Sequence, residues 1–101
     1  MIAVFVTFDY AAGFDRERIL AIAENAKGKF AGMPGLRQKV FTVDAEHRRA
    51  SNVYLWDSEE AARAFLTPAL ADRISALYGA PVRIEFGEVA ALVDNAAARA
   101  A

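Results

Sequence analysis

The fold is decided by residues 36–56, which read LRQKVFTVDAEHRRASNVYLW. Two runs rich in branched and aromatic residues, 36–43 and 52–56, flank the polar segment DAEHRR at residues 44–49. Such runs are typical of β-strands, and strands joined by so short a connection pair in the antiparallel sense. The sequence therefore predicts a β-hairpin in the middle of the chain.

Upstream of the hairpin, the pattern predicts one strand and one helix. Residues 2–9, IAVFVTFD, are apolar at nearly every position, which indicates a strand buried on both faces. In residues 16–30 the apolar side chains recur at helical spacing, and Asp15 stands where an N-cap is expected. The segment MPG at residues 33–35 then predicts a turn before the hairpin.

Downstream of the hairpin, the pattern predicts a second helix and a fourth strand. The helix begins after Asp57 with acidic residues, and Pro68 divides it into two stretches. Residues 82–89 predict a strand, in which Gly87 marks a bulge or a point of close approach. We expect the chain to fray over residues 96–101.

The order strand, helix, strand, strand, helix, strand predicts one ferredoxin-like α+β domain over residues 1–95. Two right-handed crossover units joined by the hairpin give a four-stranded antiparallel sheet of βαββαβ topology. Both helices then lie on one face of the sheet. The other face has no helix of its own to cover it.

This uncovered face predicts a homodimer. In residues 2–8 and 53–56, apolar side chains occur on both sides of the strand, so we expect several aromatic residues on the open face. A patch of that size is rare on a soluble monomer, and packing against a second copy about a two-fold axis covers it. The alternative is a monomer with a crowded core.

Charge and composition exclude several classes of protein. With 12 basic and 13 acidic residues, the chain has no basic stripe for nucleic acid and no polybasic segment for a membrane. It has no cysteine, which excludes disulfides and thiolate chemistry. The apolar run at the N-terminus is too short for a signal peptide or a membrane span. We expect a cytoplasmic protein.

Two segments resemble a known family. They are MPGLRQK at residues 33–39 and NVYLWDSEEA at residues 52–61, followed by Ala64 and Phe65. This combination of a proline–glycine turn, a lysine-bearing strand and an aromatic strand running into an acid-capped helix is similar to the YdhR-type monooxygenases. That family is part of the dimeric α/β-barrel superfamily, together with the antibiotic-biosynthesis monooxygenases. The segment LVDN at residues 92–95 fits the same pattern.

The resemblance implies cofactor-independent oxygenation of a small activated aromatic, such as a quinol, an anthrone or a phenol. A substrate that forms a stabilised carbanion reduces oxygen itself, so the protein needs only a dry pocket and a group that favours the deprotonated substrate. No metal or organic cofactor is expected. Two alternatives stay open: a non-catalytic dimeric protein that binds an apolar small molecule, and an isomerase or dehydratase on the same fold.

The candidate catalytic residues are Lys39, Arg37 and Tyr54. Arg37 and Lys39 are predicted to share one strand face with Phe41, a candidate for substrate contact. There a cation holds an oxyanion or favours a phenolate; the alternative is a pair of surface cations. Tyr54 and Trp56 share one face of the third strand and form an aromatic wall with a hydroxyl donor. Plain core or dimer packing is the alternative for that pair.

The remaining candidates for substrate binding are Tyr10, Phe65 and Tyr78. Tyr10 follows Asp9 at the end of the first strand, where it either points into the cleft between helix and sheet or caps a loop. Phe65 and Tyr78 are interpreted as core residues that form the roof of any pocket. His47, the sole histidine, falls in the polar hairpin loop, where a solvated side chain is expected.

Overall fold

The computed structural model describes residues 1–96. Within this range the chain forms four strands and three helices. In chain order they are β1 (Ile2–Asp9), α1 (Arg16–Phe30), β2 (Leu36–Asp44), β3 (Arg49–Trp56), α2 (Glu59–Phe65), α3 (Pro68–Tyr78) and β4 (Val82–Glu88). The predicted fraying of residues 96–101 lies, beyond its first residue, outside the described part of the chain.

The strands form an antiparallel sheet in the order β2-β3-β1-β4, which is the ferredoxin-like arrangement that the element order predicts. The two central strands, β1 and β3, run side by side along their whole length. Helices α1, α2 and α3 bury side chains in one core together with the sheet. None of the helices described is both long and apolar enough to cross a membrane.

Local sequence explains where the helices begin and end. The side chains of Asp15, Ser58 and Thr67 each accept a hydrogen bond from the backbone N–H three residues on, which caps α1, α2 and α3. Pro68 occupies the first turn of α3, so the predicted helix is divided there into two. Gly79 ends α3 with a φ of 73°, a left-handed conformation that glycine adopts without strain.

The side chains of β1 show which face of the sheet meets the helices. Val4, Val6 and Phe8 are fully buried between sheet and helices, whereas Phe5 on the opposite face is 41% exposed. Across the sheet, Val4 pairs with Tyr54, so Tyr54 also faces the helices. The prediction that β1 is buried on both faces is therefore wrong for the single chain.

The open face of the sheet is less aromatic than predicted. Its large apolar side chains are Phe5, Val40, Val53 and Leu55, of which Phe5 and Val40 are 41% and 51% exposed. Within the described sheet, Phe5 is the aromatic residue on this face. The expected cluster of aromatic side chains lies on the helix side instead. Strand alternation points the aromatic side chains of β3, Tyr54 and Trp56, towards the helices and away from the solvent.

Two further details of the sheet differ from the sequence predictions. Strand β3 begins at Arg49 rather than Asn52, because the pairing with β2 continues to the turn. The pairing of β4 with β1 is regular, so Gly87 is not a bulge. It is a point of ordinary close contact, since Cε2 of Phe5 lies 3.7 Å from the position that a Cβ would take.

Candidate functional site

An apolar cavity of about 260 Å³ lies between the covered face of the sheet and the helices. Strands β2 and β3 form its floor, and α1, α2 and α3 form its walls. The side chains of main interest in its lining are Phe30, Lys39, Phe41, Tyr54, Phe65 and Tyr78. Since a cavity of roughly 150 Å³ accommodates benzene, this one has room for a larger aromatic ring system.

Lys39 brings a primary amine into the cavity. In the hairpin it pairs with Tyr54 of β3, and its side chain therefore points towards the helices. Its Nζ lies 3.5 Å from the ring centroid of Phe30, 4.2 Å from that of Phe41 and 4.3 Å from that of Tyr54. The amine is thus held among three aromatic ring faces.

Burial controls the charge of this amine. Removal from water disfavours the ammonium form, which lowers the pKa of Lys39 from 10.5 to about 7. The ring faces act in the opposite direction, because an ammonium is attracted to an aromatic face by about 0.5–2 kcal/mol. Near neutral pH, Lys39 can therefore accept and release a proton at little cost in free energy.

Tyr54 and Trp56 share one face of β3, as strand alternation predicts. Tyr54 and Trp56 are each 2% exposed, and their rings stack with centroids 6.2 Å apart. Phe65 of α2 lies 6.1 Å from Tyr54 and 5.4 Å from Trp56, measured between ring centroids. Only Tyr54 and Phe65 of these three line the cavity. Trp56 lies outside the lining, and its buried Nε1 has no hydrogen-bond partner among the described residues.

A buried polar pair also lines the cavity. The ring of Tyr78 stacks on Phe8 at 3.9 Å, and its hydroxyl accepts a hydrogen bond from Nδ2 of Asn52 at 3.1 Å. Burial raises the pKa values of the Tyr78 and Tyr54 hydroxyls, so both stay protonated and can donate to a ligand. Asn52 was not among the residues predicted from the sequence. The signal was a carboxamide in the middle of a buried strand face, where a polar side chain needs a partner.

Arg37 does not join Lys39 in the cavity lining. The register of β2 against β3 shifts between Leu36 and Gln38, which interrupts the side-chain alternation at Arg37. Its exposed guanidinium instead donates from Nε to Oδ1 of Asp57 at 2.6 Å. A catalytic role for Arg37 stays a prediction, and the contacts of its side chain point to a surface ion pair.

Tyr10 lies in the core and outside the cavity lining. Its hydroxyl donates to the backbone carbonyl of Tyr78 at 2.6 Å, which ties the chain after β1 to the end of α3. Asp9 is exposed and ion-paired. His47 is exposed in the hairpin turn, in the setting that the sequence predicts. Within residues 1–96, no cluster of three or more His, Asp or Glu side chains is placed to hold a metal ion.

The site therefore combines three kinds of contact for a ligand. Ring faces can pack against a planar apolar molecule, a lysine amine can take up a proton, and two tyrosine hydroxyls can donate hydrogen bonds. A neutral amine that becomes an ammonium beside a bound molecule stabilises an oxygen anion on that molecule. This chemistry suits an aromatic ligand with an acidic C–H or O–H group.

Fold and cavity together define the class: a small ferredoxin-like domain with an apolar, aromatic-lined cavity between its helices and its sheet. The sequence matches the family described as "Putative mono-oxygenase ydhR" over residues 4–92. The chain belongs to this family. The match confirms the resemblance seen in the sequence, and it supports a monooxygenase-like function.

Solved structures with the same fold include two oxygenases of Streptomyces. The monooxygenase from the gene ActVA-Orf6 of Streptomyces coelicolor, in complex with nanaomycin D, is 18% identical with a TM-score of 0.68, covering 91% of this chain and 89% of that one. SnoaB, a cofactor-independent oxygenase from Streptomyces nogalater, is 14% identical with a TM-score of 0.63, covering 91% and 95%. At these identities the likeness establishes the fold alone. No curated protein matches the chain.

Proposed function

We propose that this protein is a cofactor-independent monooxygenase acting on a small activated aromatic such as an anthrone, a quinol or a phenol. The observation that carries the proposal is the position of Lys39, whose amine lies among three ring faces in an apolar cavity. Such an amine can deprotonate a bound aromatic and hold the anion in place. The family assignment, and the cofactor-independent chemistry of SnoaB, support the same reaction class.

The first step is a proton transfer. With a pKa of about 7, the neutral amine of Lys39 takes the acidic proton of an anthrone methylene or a phenol hydroxyl. The ammonium then pairs with the enolate or phenolate oxygen, while the ring faces of Phe30, Phe41 and Tyr54 stabilise its charge. The protonated hydroxyls of Tyr54 and Tyr78 supply further donors for that oxygen.

The second step is oxidation of the carbanion by O₂. One electron passes to O₂, and the substrate radical and superoxide combine to form a C–O bond. Lys39 returns its proton to the peroxide anion, which becomes a hydroperoxide. For an anthrone, loss of water converts the original methylene into a ketone. One oxygen atom enters the product and the other leaves as water, so no external reductant is needed.

Oxygen uptake with dithranol, an anthrone, tests this proposal. Purified protein with a chelator and without added flavin is expected to consume one O₂ per anthrone converted, faster than buffer does. Because a positioned base contributes roughly 10²–10⁴-fold, the substitution Lys39→Met is expected to lower the rate by about that factor. The control is Lys27→Met, at an exposed lysine of α1 that pairs with Glu24, and this variant should keep the wild-type rate.

A wild-type rate equal to the buffer rate would contradict the oxygenase proposal. In that case a rise in melting temperature on adding dithranol, without oxygen uptake, would select the non-catalytic binding protein. Conversion of the substrate without oxygen uptake would instead select an isomerase or dehydratase.

We also propose that the working unit is a homodimer built on the open sheet face. The apolar side chains of Phe5, Val40, Val53 and Leu55 have no covering element within residues 1–96. A second copy placed across a two-fold axis removes them from water. Light scattering is expected to give twice the 11.0 kDa mass of the chain, and Val40→Glu should shift the protein towards monomer. A wild-type mass of one chain would contradict the dimer.

A further inference from the structure

Lys39 differs from the other lysines as a potential nucleophile. The sequence contains three lysines, and the other two, Lys27 and Lys29, are exposed on α1. Lys27 is paired with Glu24 at 2.8 Å. Lys39 faces an apolar cavity and has aromatic rings around its Nζ. An amine attacks a carbonyl carbon with its lone pair, so desolvation that keeps a lysine neutral activates it.

We propose that Lys39 captures small apolar aldehydes that enter the cavity, aromatic aldehydes above all, by condensing with them to an imine. The lone pair of Nζ attacks the carbonyl carbon, and a proton moves from nitrogen to the carbonyl oxygen to give a carbinolamine. Loss of that hydroxyl as water leaves a C=N bond. One amine and one aldehyde thus yield one imine and one water, and nothing is oxidised or reduced. This activity requires no O₂ and goes beyond the proposed oxygenation.

The surroundings of Lys39 suit each stage of this condensation. A pKa of about 7 leaves roughly half of the amine neutral at pH 7, which is about 10³-fold more than in an ordinary lysine. The titratable groups that share the cavity lining are Lys29 from α1, Tyr54 from β3 and Tyr78 from α3. The two hydroxyls can protonate the departing oxygen. Among residues 1–96 no carboxylate lines the cavity, so no anion there holds the amine in its ammonium form.

The product also fits the site. A protonated imine carries its positive charge at the nitrogen, where the rings of Phe30, Phe41 and Tyr54 already surround the amine. The apolar lining favours loss of water over its addition. A cavity of about 260 Å³ accepts small aromatic ring systems such as benzene or naphthalene. The ligand class is therefore a one-ring or two-ring aromatic aldehyde.

Reductive trapping tests the inference. The protein is incubated without oxygen with a limiting amount of naphthaldehyde and sodium cyanoborohydride near pH 7, and the modified lysine is located by peptide mass spectrometry. We expect Lys39 to be modified at least tenfold faster than Lys27, Lys29 or the α-amino group. The variant Lys39→Arg should lose this fast labelling, and Lys27→Arg should retain it. Circular dichroism of each variant establishes that it is folded.

A charged aldehyde provides the matched control for the cavity. Glyoxylate is small enough to enter but carries a carboxylate, so the preference for Lys39 is expected to fall severalfold or more. Equal labelling of all amines by naphthaldehyde would overturn the inference, and so would an undiminished preference with glyoxylate. Because the trapping uses neither O₂ nor an anthrone, its failure alongside normal oxygen uptake would overturn this inference and leave the oxygenase proposal in place.

Discussion

The substitution Lys39→Met removes the buried amine and keeps an unbranched side chain of similar length against Phe30 and Tyr54. In the wild-type protein, burial lowers the pKa of Lys39 from 10.5, the value for a solvated lysine, to about 7. Between these two pH values the unfolded chain binds a proton that the folded protein does not bind. The free energy of unfolding therefore rises with pH across this window. The methionine variant lacks this contribution.

The size of the effect follows from the pKa change. Lowering a pKa from 10.5 to about 7 corresponds to at most about 5 kcal/mol, at 1.36 kcal/mol per pH unit. Part of the Lys39 side chain keeps contact with water, and the ring faces stabilise its ammonium, so we expect less than this maximum, roughly 3–4 kcal/mol. Below about pH 7 the methionine variant should be more stable than wild type by this amount, and the difference should shrink as the pH rises towards 10.

Urea denaturation between about pH 6 and pH 9 measures this difference. Tyrosine ionisation in the unfolded state affects both proteins alike, so the difference between them isolates Lys39. Lys27→Met, at an exposed position of α1, is the control and should follow wild type at every pH. A difference between wild type and Lys39→Met that stays constant with pH would contradict a lowered pKa for Lys39, as would a wild type that is more stable at pH 6.

Two further substitutions test the packing around the site. Tyr10→Phe removes the hydrogen bond from the Tyr10 hydroxyl to the Tyr78 carbonyl at 2.6 Å. Urea denaturation should show the free energy of unfolding lowered by about 1–2 kcal/mol. An unchanged urea midpoint would show that this bond does not stabilise the end of α3. Gly35→Ala places a Cβ 3.2 Å from Cβ of Ala61 at a φ of 81°, whereas Gly32→Ala, at a φ of 73°, meets no atom within 4 Å. Each substitution should lower the free energy of unfolding by about 1–2 kcal/mol, because alanine is strained in a left-handed backbone conformation. Gly35→Ala should lower it further, because its Cβ also meets α2. Equal losses in the two variants would contradict the close packing of α2 on the turn before β2.

The fold was predictable from the sequence because its main signals are local. The hairpin follows from two strand-forming runs around a short polar segment. The break in the second helix follows from Pro68, and its end follows from Gly79. The common face of Tyr54 and Trp56 follows from strand alternation. None of these predictions needs a contact between distant parts of the chain.

The site was predictable only in part because it depends on contacts between distant residues. Alternation placed Tyr54 with Trp56, but it could not say that this face meets the helices, since that depends on how α1 and α3 pack. The register shift beside Arg37 has no signal in the sequence, so Arg37 was grouped with Lys39. The role of Asn52 could not be predicted from the sequence, because it depends on a hydrogen bond to the hydroxyl of Tyr78, which lies far along the chain.

Both proposals for the cavity depend on a neutral amine at Lys39 near pH 7. The most direct measurement is an NMR titration of lysine labelled with ¹³C at Cε, which reports the protonation of each Nζ. With three lysines in the chain, the variant Lys39→Arg assigns the signal of interest. We expect this signal to titrate near pH 7 in the folded protein. A titration near pH 10.5, together with the other two lysines, would contradict it.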